Sequence, residues 1–289
     1  MKIAIIGGSG KMGQWFADFL CREGHEVVIS GRDQEKLKEA GKRLEVATAS
    51  NGEAVKGADV VLLSVPIDSF EPIVKELSPH IQPDQVVADV TSVKVMPVAV
   101  MHKYLKTHRI LGTHPLFGPG AKSLAHQNFI LTPTSADESP LAAKTKTYLE
   151  ERGAHVSLMT PAEHDKKMTV ILGLAHFIAL VSADALLSSE GFKADEAIGG
   201  ITYKVLMTLV ESVLTEDPAL YAAIQMNLPD LPDAEKLLQS KARAWADTVA
   251  GKDCQGFVRR MNELKEKLKK GNPDFGKAYE AMYRIASER

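Results

Sequence analysis

The chain has 289 residues, of which 45% are hydrophobic and 25% are charged, and these fractions exclude a disordered or collagen-like protein. The 35 Lys and Arg residues nearly balance the 37 Asp and Glu residues, for a formal net charge of -2, so no basic excess predicts binding to nucleic acid or to an anionic membrane. Two cysteines, Cys21 and Cys254, are too few for a disulfide framework, which favours a reducing, cytoplasmic compartment. The sequence contains no paired-cysteine or HExxH motif, so we expect no metal.

The first half of the chain alternates β-branched runs with amphipathic stretches. The opening apolar run ends in glycine after Ile6, which predicts a short strand rather than a signal peptide. Helices are predicted at Met12–Cys21 and Glu35–Arg43. Because a helix between two strands makes them parallel, the pattern predicts a doubly wound Rossmann-type α/β domain with a parallel sheet. The predicted strands are Ile3–Ile6, Glu26–Ser30, Val60–Val65, Val86–Val90, Ile110–Gly112, Phe129–Thr132 and His155–Met159.

The character of the sequence changes near Thr160, where Thr160-Pro161-Ala162-Glu163 is a typical helix start. Only helical periodicity follows, so we expect a dinucleotide-type α/β domain at residues 1–160 and an all-helical domain at 161–289. The stretch Met168–Leu187 is long enough to cross a bilayer, but it contains His176 and Asp184. Because ionisable groups are costly in hydrocarbon, we expect a buried core helix here.

A glycine-rich segment after the first strand matches the dinucleotide fingerprint G-x-G-x-x-G. Its position between a strand and a helix is the context that gives this pattern its meaning. The first glycine allows a tight turn, the second lets the backbone approach a pyrophosphate, and the third lets the helix pack on the strand. The predicted dinucleotide contacts are Gly8, Ser9, Gly10, Lys11, Met12 and Gly13.

The end of the second strand discriminates between the two nicotinamide dinucleotides. An acid there binds the ribose of NAD, whereas an arginine meets the 2′-phosphate of NADP. Here the strand ends at Ser30 and is followed by Gly31-Arg32-Asp33. Arg32 and the Ser30 hydroxyl are suited to a phosphate, and Asp33 is suited to cap the next helix. We therefore predict NADP as the preferred cofactor, with NAD as the alternative.

Three further segments follow successive strands, at the sheet edge where α/β proteins bind ligands. Ser64, Val65 and Pro66 are expected to run beside the cofactor. His114 follows a later strand, and a histidine can accept a hydroxyl proton near neutral pH. Ser92, at the neighbouring strand end, is expected to hydrogen-bond to this imidazole and fix its tautomer.

The glycine-rich start together with SVP, DVTSVK, THPLFGP and HDKKM…GLAH resembles prephenate dehydrogenase of tyrosine biosynthesis, over essentially the whole chain and most closely the stand-alone archaeal-type members. The resemblance implies hydride transfer from prephenate to a nicotinamide, with loss of carbon dioxide and formation of 4-hydroxyphenylpyruvate. It implies that His114 contacts the 4-hydroxyl, that Ser92 supports His114, and that His176 faces the substrate. His164 is either structural or part of the cleft. A homodimer through the helical domain is also implied.

The chain departs from many bacterial members at residues 211–221, which contain no carboxylate-binding arginine. A dianionic substrate needs cations, and we rank Lys94 first among Lys94, Lys122, Lys167 and Lys204. This departure leaves arogenate open beside prephenate as the substrate. Two further alternatives are another two-domain Rossmann dehydrogenase, such as one for β-hydroxy acids, and a non-enzymatic nucleotide sensor.

Overall fold

The computed structural model describes residues 1–107, 109–188 and 198–287. The chain divides into two compact units. The first unit comprises Met1–Met168 together with Met226–Leu228, and the second comprises Thr169–Gln225 and Pro229–Arg289. The division after Met168 differs from the expected boundary at residue 160, because the helix Pro161–Met168 belongs to the first unit.

The first unit is built on one eight-stranded sheet, which confirms the predicted Rossmann-type α/β class. The strand order is β3-β2-β1-β4-β5-β6-β7-β8, with a switch beside β1 where the chain crosses from one half of the sheet to the other. The strands are β1 (Lys2–Ile6), β2 (Glu26–Ser30), β3 (Ala47–Thr48), β4 (Val60–Leu63), β5 (Val86–Asp89), β6 (Ile110–Pro115), β7 (Asn128–Thr132) and β8 (His155–Leu158).

The expectation of an entirely parallel sheet is wrong at one pair of strands. β6 and β7 are antiparallel, with His114 opposite Ile130, while all other neighbours in the sheet are parallel. Residues 116–127 between them contain turns but no helix, so the chain returns directly beside β6 instead of crossing over. The short edge strand β3 was not predicted, because two exposed residues carry no periodic signal.

Helices cover both faces of the sheet. One apolar cluster includes Phe70 and Met101, and the other includes Phe16 and Leu131, so the strands are buried on both sides as their continuous apolar runs indicated. The helices of this unit are α1 (Lys11–Arg22), α2 (Gln34–Leu44), α3 (Asn51–Ala54), α4 (Ile67–Leu77), α5 (Val95–Tyr104), α6 (Ser139–Glu150) and α7 (Pro161–Met168).

The second unit is helical throughout its described residues. Its small core includes Ala183, Met207 and Val210. A π-helical turn at Thr169–Leu174 precedes α8. The helices are α8 (Ala175–Leu187), α9 (Ile201–Leu214), α10 (Pro218–Asn227), α11 (Leu231–Ala250), α12 (Cys254–Gly271) and α13 (Ala278–Ser287).

The expectation that Met168–Leu187 forms a buried helix is wrong for the single chain. By length and composition alone, the helical stretch Pro161–Leu187 could cross a membrane, and only 17% of its most apolar window is buried. Val170 is 59% exposed, Ile171 57% and Val181 49%. An exposed apolar surface of this kind is typical of an interaction site, but hydrophobicity alone does not identify the partner.

The turn between β1 and α1 depends on a glycine outside the predicted fingerprint. Gly7, rather than Gly8, has the left-handed backbone, with φ of 84°. A Cβ on Gly7 would lie 2.1 Å from the carbonyl oxygen of Ser64. Gly8 is constrained differently, because its Cβ would lie 2.5 Å from the Cβ of Ile29. The tight turn is therefore made one residue earlier than the motif suggested.

Replacing Gly7 by alanine should destabilise the fold more than the same change at a left-handed glycine in open space. Gly57 (φ 67°) is the matched control, because no atom lies within 4 Å of its hypothetical Cβ. Gly57→Ala should lower the free energy of unfolding by about 1–2 kcal/mol, the cost of the left-handed backbone. Gly7→Ala should exceed that cost or prevent folding. Urea unfolding followed by circular dichroism measures both, and equal effects would contradict the role of the Ser64 contact.

Candidate active site

The cradle predicted for a dinucleotide is formed at the β1–α1 turn. Gly10 precedes α1 with no side-chain cap, and the first turn contains no acidic residue, so its N–H groups suit an anionic ligand. A Cβ on Gly13 would lie 2.4 Å from the Gly7 carbonyl oxygen, so only glycine allows α1 to pack this closely. Ser9, Lys11 and Met12 lie in the same turn and helix start. These features fit a dinucleotide pyrophosphate.

The segment after β4 closes one side of this turn. The Ser64 N–H donates to the carbonyl of Ile6 over 2.8 Å, and the Ser64 carbonyl faces Gly7. Val65 is buried, whereas Pro66 is exposed at the start of α4. The structure thus brings Ser64 and Val65 beside the glycine turn, and the run of Ser64–Pro66 beside a cofactor stays a prediction.

Ser30 and Arg32 lie in different environments at the end of β2. The Ser30 side chain is fully buried, and its hydroxyl donates to Oδ1 of Asn51 over 2.8 Å. Gly31 faces the fingerprint instead, because its Cβ would lie 2.4 Å from Oγ of Ser9. Arg32 is exposed, and within the described ranges it forms no hydrogen bond or ion pair. Asp33 caps α2 as expected, accepting the N–H of Lys36.

His114 is the first member of a chain of three buried groups. It lies in β6 and is 4% exposed. Its Nδ1 is 2.8 Å from Nε2 of His164, and Nδ1 of His164 is 2.7 Å from Oδ1 of Asp165. Both partners lie on α7.

The order of these contacts determines where the protons lie. The carboxylate of Asp165 can only accept, so Nδ1 of His164 donates to it and Nε2 of neutral His164 becomes an acceptor. Nδ1 of His114 therefore donates to His164, which leaves the lone pair of His114 on Nε2. Burial is the main cause that holds the pKa of His114 well below its usual value, and the electrostatic effects of His164 and Lys94 act in the same direction. The imidazole of His114 is accordingly a neutral base at neutral pH.

Asp165 also holds the start of α5. Its Oδ1 accepts the N–H of Lys94 over 2.7 Å, and its Oδ2 accepts the N–H of Val95 over 2.9 Å. These N–H groups belong to the start of a helix that has no side-chain cap of its own. One carboxylate thus fixes the orientation of His164 and satisfies the helix that follows β5.

Lys94 lies inside the protein with an ion-pair partner. Its side chain is fully buried, as is that of Asp89, and the two form a salt bridge. The ammonium also donates to the carbonyl of Thr113 over 2.6 Å and to the hydroxyl of Thr91 over 3.2 Å. These partners satisfy all three donors. The structure therefore places Lys94 as a connector between β5 and β6, in contrast with the expected contact to a carboxylate ligand.

Ser92 and His176 are not joined to His114 by hydrogen bonds in the described residues. Ser92 is partly buried after β5, and the partner of His114 is His164 instead. His176 lies on α8 in the second unit, with its ring centroid 4.4 Å from that of Tyr221. Burial lowers the pKa of His176, and its Nδ1 is buried without a partner in the structure.

Sequence reasoning missed the roles of His164, Asp165 and Asp89. Two signals pointed to them. Asp89 is an acid at the carboxyl end of a buried strand, and His164-Asp165 stand together at a helix start. The pair His164-Asp165 identifies no partner, because its contacts link residues 50 and 71 positions apart. Asp89 pairs with Lys94 only five residues later.

The sheet order, the glycine turn and the uncapped helix define a Rossmann-type dinucleotide-binding domain. Residues 16–158 match the family model described as prephenate dehydrogenase, nucleotide-binding domain. Over 268 residues, or 91% of this chain and 60% of the relative, the chain is 34% identical to a probable arogenate/prephenate dehydrogenase of Methanocaldococcus jannaschii. It is 28% identical to the T-protein of Haemophilus influenzae, over 92% of this chain and 66% of that protein. Residues 16–158 therefore form a nucleotide-binding domain of the prephenate dehydrogenase family.

Solved structures support the fold over nearly the full length. Prephenate dehydrogenase from Aquifex aeolicus, in complex with hydroxyphenyl propionate and NAD+, superposes with a TM-score of 0.77 at 23% identity, covering 94% of this chain and 98% of that one. Synechocystis arogenate dehydrogenase gives a TM-score of 0.72 at 21% identity, covering 93% and 99%. By contrast, the chain spans only about 60–66% of the length of the first curated relatives.

Replacing Lys94 should destabilise the fold, because it would leave the Asp89 carboxylate buried without its cation. Breaking a buried ion pair costs about 3–5 kcal/mol, so Lys94→Met should lower the free energy of unfolding by about that amount. Lys94→Met combined with Asp89→Asn should recover part of the loss. Urea unfolding of the single and double variants measures this. A fully stable Lys94→Met protein would contradict the connector role and restore Lys94 as a candidate ligand contact.

Proposed function

We propose that this chain is a nicotinamide-dependent dehydrogenase that oxidises and decarboxylates prephenate to 4-hydroxyphenylpyruvate in tyrosine biosynthesis in the cytoplasm. Arogenate, which has the same ring and a different side chain, is the alternative substrate. The observation that carries the proposal is the His114–His164–Asp165 chain, which leaves Nε2 of His114 as a base. The arogenate/prephenate dehydrogenase among the relatives supports the substrate class.

In this reaction the protein has to position the reactants and to transfer a proton. The nicotinamide supplies the hydride acceptor when it is bound. Nε2 of His114 accepts the proton of the ring 4-hydroxyl as the hydride leaves C4, so a carbonyl forms at that carbon. The electron pair of the bond to the departing carboxylate then enters the ring and carbon dioxide is lost. The C4 oxygen takes back the proton from His114 as the aromatic phenol forms, and aromatisation drives the step. No water or metal is consumed in this balance.

In this proposal the other site residues contact the substrate, orient His114 or support the strands. We propose that His176 contacts the substrate, since its Nδ1 is a buried polar atom with no hydrogen-bond partner among the described residues. Ser92 is proposed to contribute a hydroxyl near the base, while His164 and Asp165 orient it. Lys94 supports β5 and β6 through Asp89. The exposed Lys122 and Lys167 remain candidates for the substrate carboxylate in the first unit.

The direct test offers prephenate and arogenate in turn, each with NADP+ and with NAD+, and measures reduced nicotinamide and released carbon dioxide. We expect turnover with prephenate and equal amounts of the two products. Turnover with arogenate alone would retain the mechanism and change the substrate. Absence of turnover in all four mixtures, with dinucleotide binding verified, would contradict the proposal.

His114→Asn should lower kcat by about 10²- to 10⁴-fold, the usual effect of losing a general base. The Kd for the dinucleotide should hardly change, because the fingerprint is untouched. His155→Asn, at an exposed histidine of β8, is the matched control and should keep normal turnover. Since a base must be neutral and the pKa of His114 is lowered, wild-type kcat/KM should stay level as pH falls through about 6.5 and decline only at lower pH. A decline centred at the ordinary histidine pKa would contradict the burial of the base.

We further propose that NADP is the preferred cofactor. Arg32 is exposed and has no protein partner in the described residues, and the Ser9 hydroxyl lies against the neighbouring Gly31. No acid occupies this strand end to repel a 2′-phosphate. The Ser30 hydroxyl is engaged by Asn51, so the geometry favours Gly31, Ser9 and Arg32 as the discriminating set.

Arg32→Ala should raise the Kd for NADP+ about ten-fold, since a charge-assisted contact to phosphate contributes about 1.5–3 kcal/mol. The Kd for NAD+ should change by less than about two-fold, because that cofactor has no 2′-phosphate. Arg22→Ala, an exposed arginine paired with Asp18 on α1, serves as the control. Calorimetric titration of both cofactors measures the ratio, and an unchanged NADP+/NAD+ ratio in Arg32→Ala would contradict the assignment.

We also propose that the helical unit forms a homodimer. α12 exposes an apolar stripe with alternating spacings of four and three, which is typical of a helix-pairing seam. The stripe consists of Phe257 (38% exposed), Met261 (62%), Leu264 (53%) and Leu268 (51%).

Leu264→Lys should therefore weaken self-association, because it introduces a charge into the seam. Sedimentation equilibrium at micromolar concentration should give a dimer for the wild type and a shift toward monomer for the variant. Leu158→Lys, at an exposed apolar residue of β8, should leave the dimer intact. A wild-type protein that sediments as a monomer would end the dimer proposal.

A further inference from the structure

Trp15 connects two parts of the first unit that are far apart in sequence. It lies on α1, two residues after the last fingerprint glycine. Its indole N–H donates to the carbonyl of Ala121 over 2.6 Å, and its ring meets that of Phe117 edge-on with centroids 4.9 Å apart. Ala121 and Phe117 belong to the 116–127 loop, which joins β6 to β7 and begins two residues after His114.

The first part of this loop has few other attachments. Gly118 and Gly120 have no atom within 4 Å of a hypothetical Cβ, and the Ala121 N–H bonds only within the loop, to the Gly118 carbonyl. The far end is held separately, because Leu124 is 1% exposed and the His126 N–H donates to the Gly153 carbonyl. In the described residues, Trp15 provides the side-chain hydrogen bond that holds the glycine-containing part of the loop to a helix.

Helix α1 is tightly packed, so the position of its start determines the position of Trp15. Gly13 lies against the backbone of Gly7 and Gly8, and the adjacent Phe16 is 6% exposed. Trp15 also stacks on Phe19 of the same helix, with ring centroids 5.5 Å apart. The Phe19 ring therefore supports the indole of Trp15 on α1, and the indole N–H donates to the loop.

We propose that Trp15 is a positioning residue that couples dinucleotide binding at α1 to the placement of the 116–127 loop after His114. The proposal rests on the proposed function, since it takes the glycine turn as the dinucleotide site and His114 as the base. A ligand that restrains the start of α1 thereby restrains the loop through one hydrogen bond and one ring contact. By linkage, a dinucleotide should then strengthen binding of the second substrate, and the reverse.

The experiment uses the only other tryptophan as its matched control. Trp245 lies in the second unit on α11, against Phe257 and Arg260, so Trp245→Phe leaves Trp15 as the sole indole fluorophore of the chain. In that variant, saturating NADP+ should lower acrylamide quenching of Trp15 about two-fold, because the loop is held more firmly over the ring. Unchanged quenching at saturating NADP+, with binding verified by calorimetry, overturns the proposal.

A second arm measures the coupling itself with 4-hydroxyphenylpropionate as the probe. In the wild type and in Trp245→Phe, saturating NADP+ should tighten binding of the probe about ten-fold, within the usual range of coupling energies. In Trp15→Phe, which keeps a ring but loses the N–H donor, the factor should fall to about one while the Kd for NADP+ alone changes little. A merely structural role would lower Tm without removing the coupling, and a retained factor in folded Trp15→Phe also overturns the proposal. If the probe does not bind but Trp15 quenching responds to NADP+, the coupling stands and the proposed substrate fails.

Discussion

The carboxylate of Asp165 is the interaction on which the arrangement around His114 depends. It accepts two backbone N–H groups at the start of α5 and one imidazole N–H from its neighbour His164. Each donor fills a lone pair that would be costly to leave unsatisfied in a buried site. Because the helix start and the histidine share one carboxylate, a change in either alters the tautomer and direction of His114. The chemistry at β6 is therefore set by a residue on α7.

A second buried charge pair sets the strand ends on which this chain of contacts is built. Asp89 and Lys94 are both removed from water, and such a pair is favourable only when its remaining donors and acceptors are satisfied. Here two threonines and a backbone carbonyl satisfy them. The pair joins β5 to β6 in one register and thereby fixes the positions of Thr113 and His114. The same positive charge contributes to keeping His114 neutral.

Local pattern was sufficient to predict most of the fold and the presence of a glycine turn between β1 and α1. Continuous apolar runs predicted the strands, and glycines between a strand and a helix predicted the turn beside Ser64. The antiparallel direction of β7 was not predicted. This direction depends on the path of the loop at residues 116–127, and the sequence of the loop does not determine that path. The His114–His164 contact was missed because it arises only when distant segments pack. Lys94 was misjudged for a different reason, because a lysine is marked as a cation by composition although its ion-pair partner Asp89 lies only five residues earlier.

The position of Asp165 determines where this protein can be divided. A fragment ending at residue 158, where the nucleotide-binding family match ends, would contain the whole sheet and the glycine turn. It would lack the carboxylate that caps α5 and the imidazole that orients His114. Such a fragment would keep the glycine turn without the contacts that orient His114, whereas a cut after Met168 keeps both. A fragment exchanged between relatives therefore has to include α7 together with the sheet. The sequence alone would assign α7 to the helical half, as its first helix.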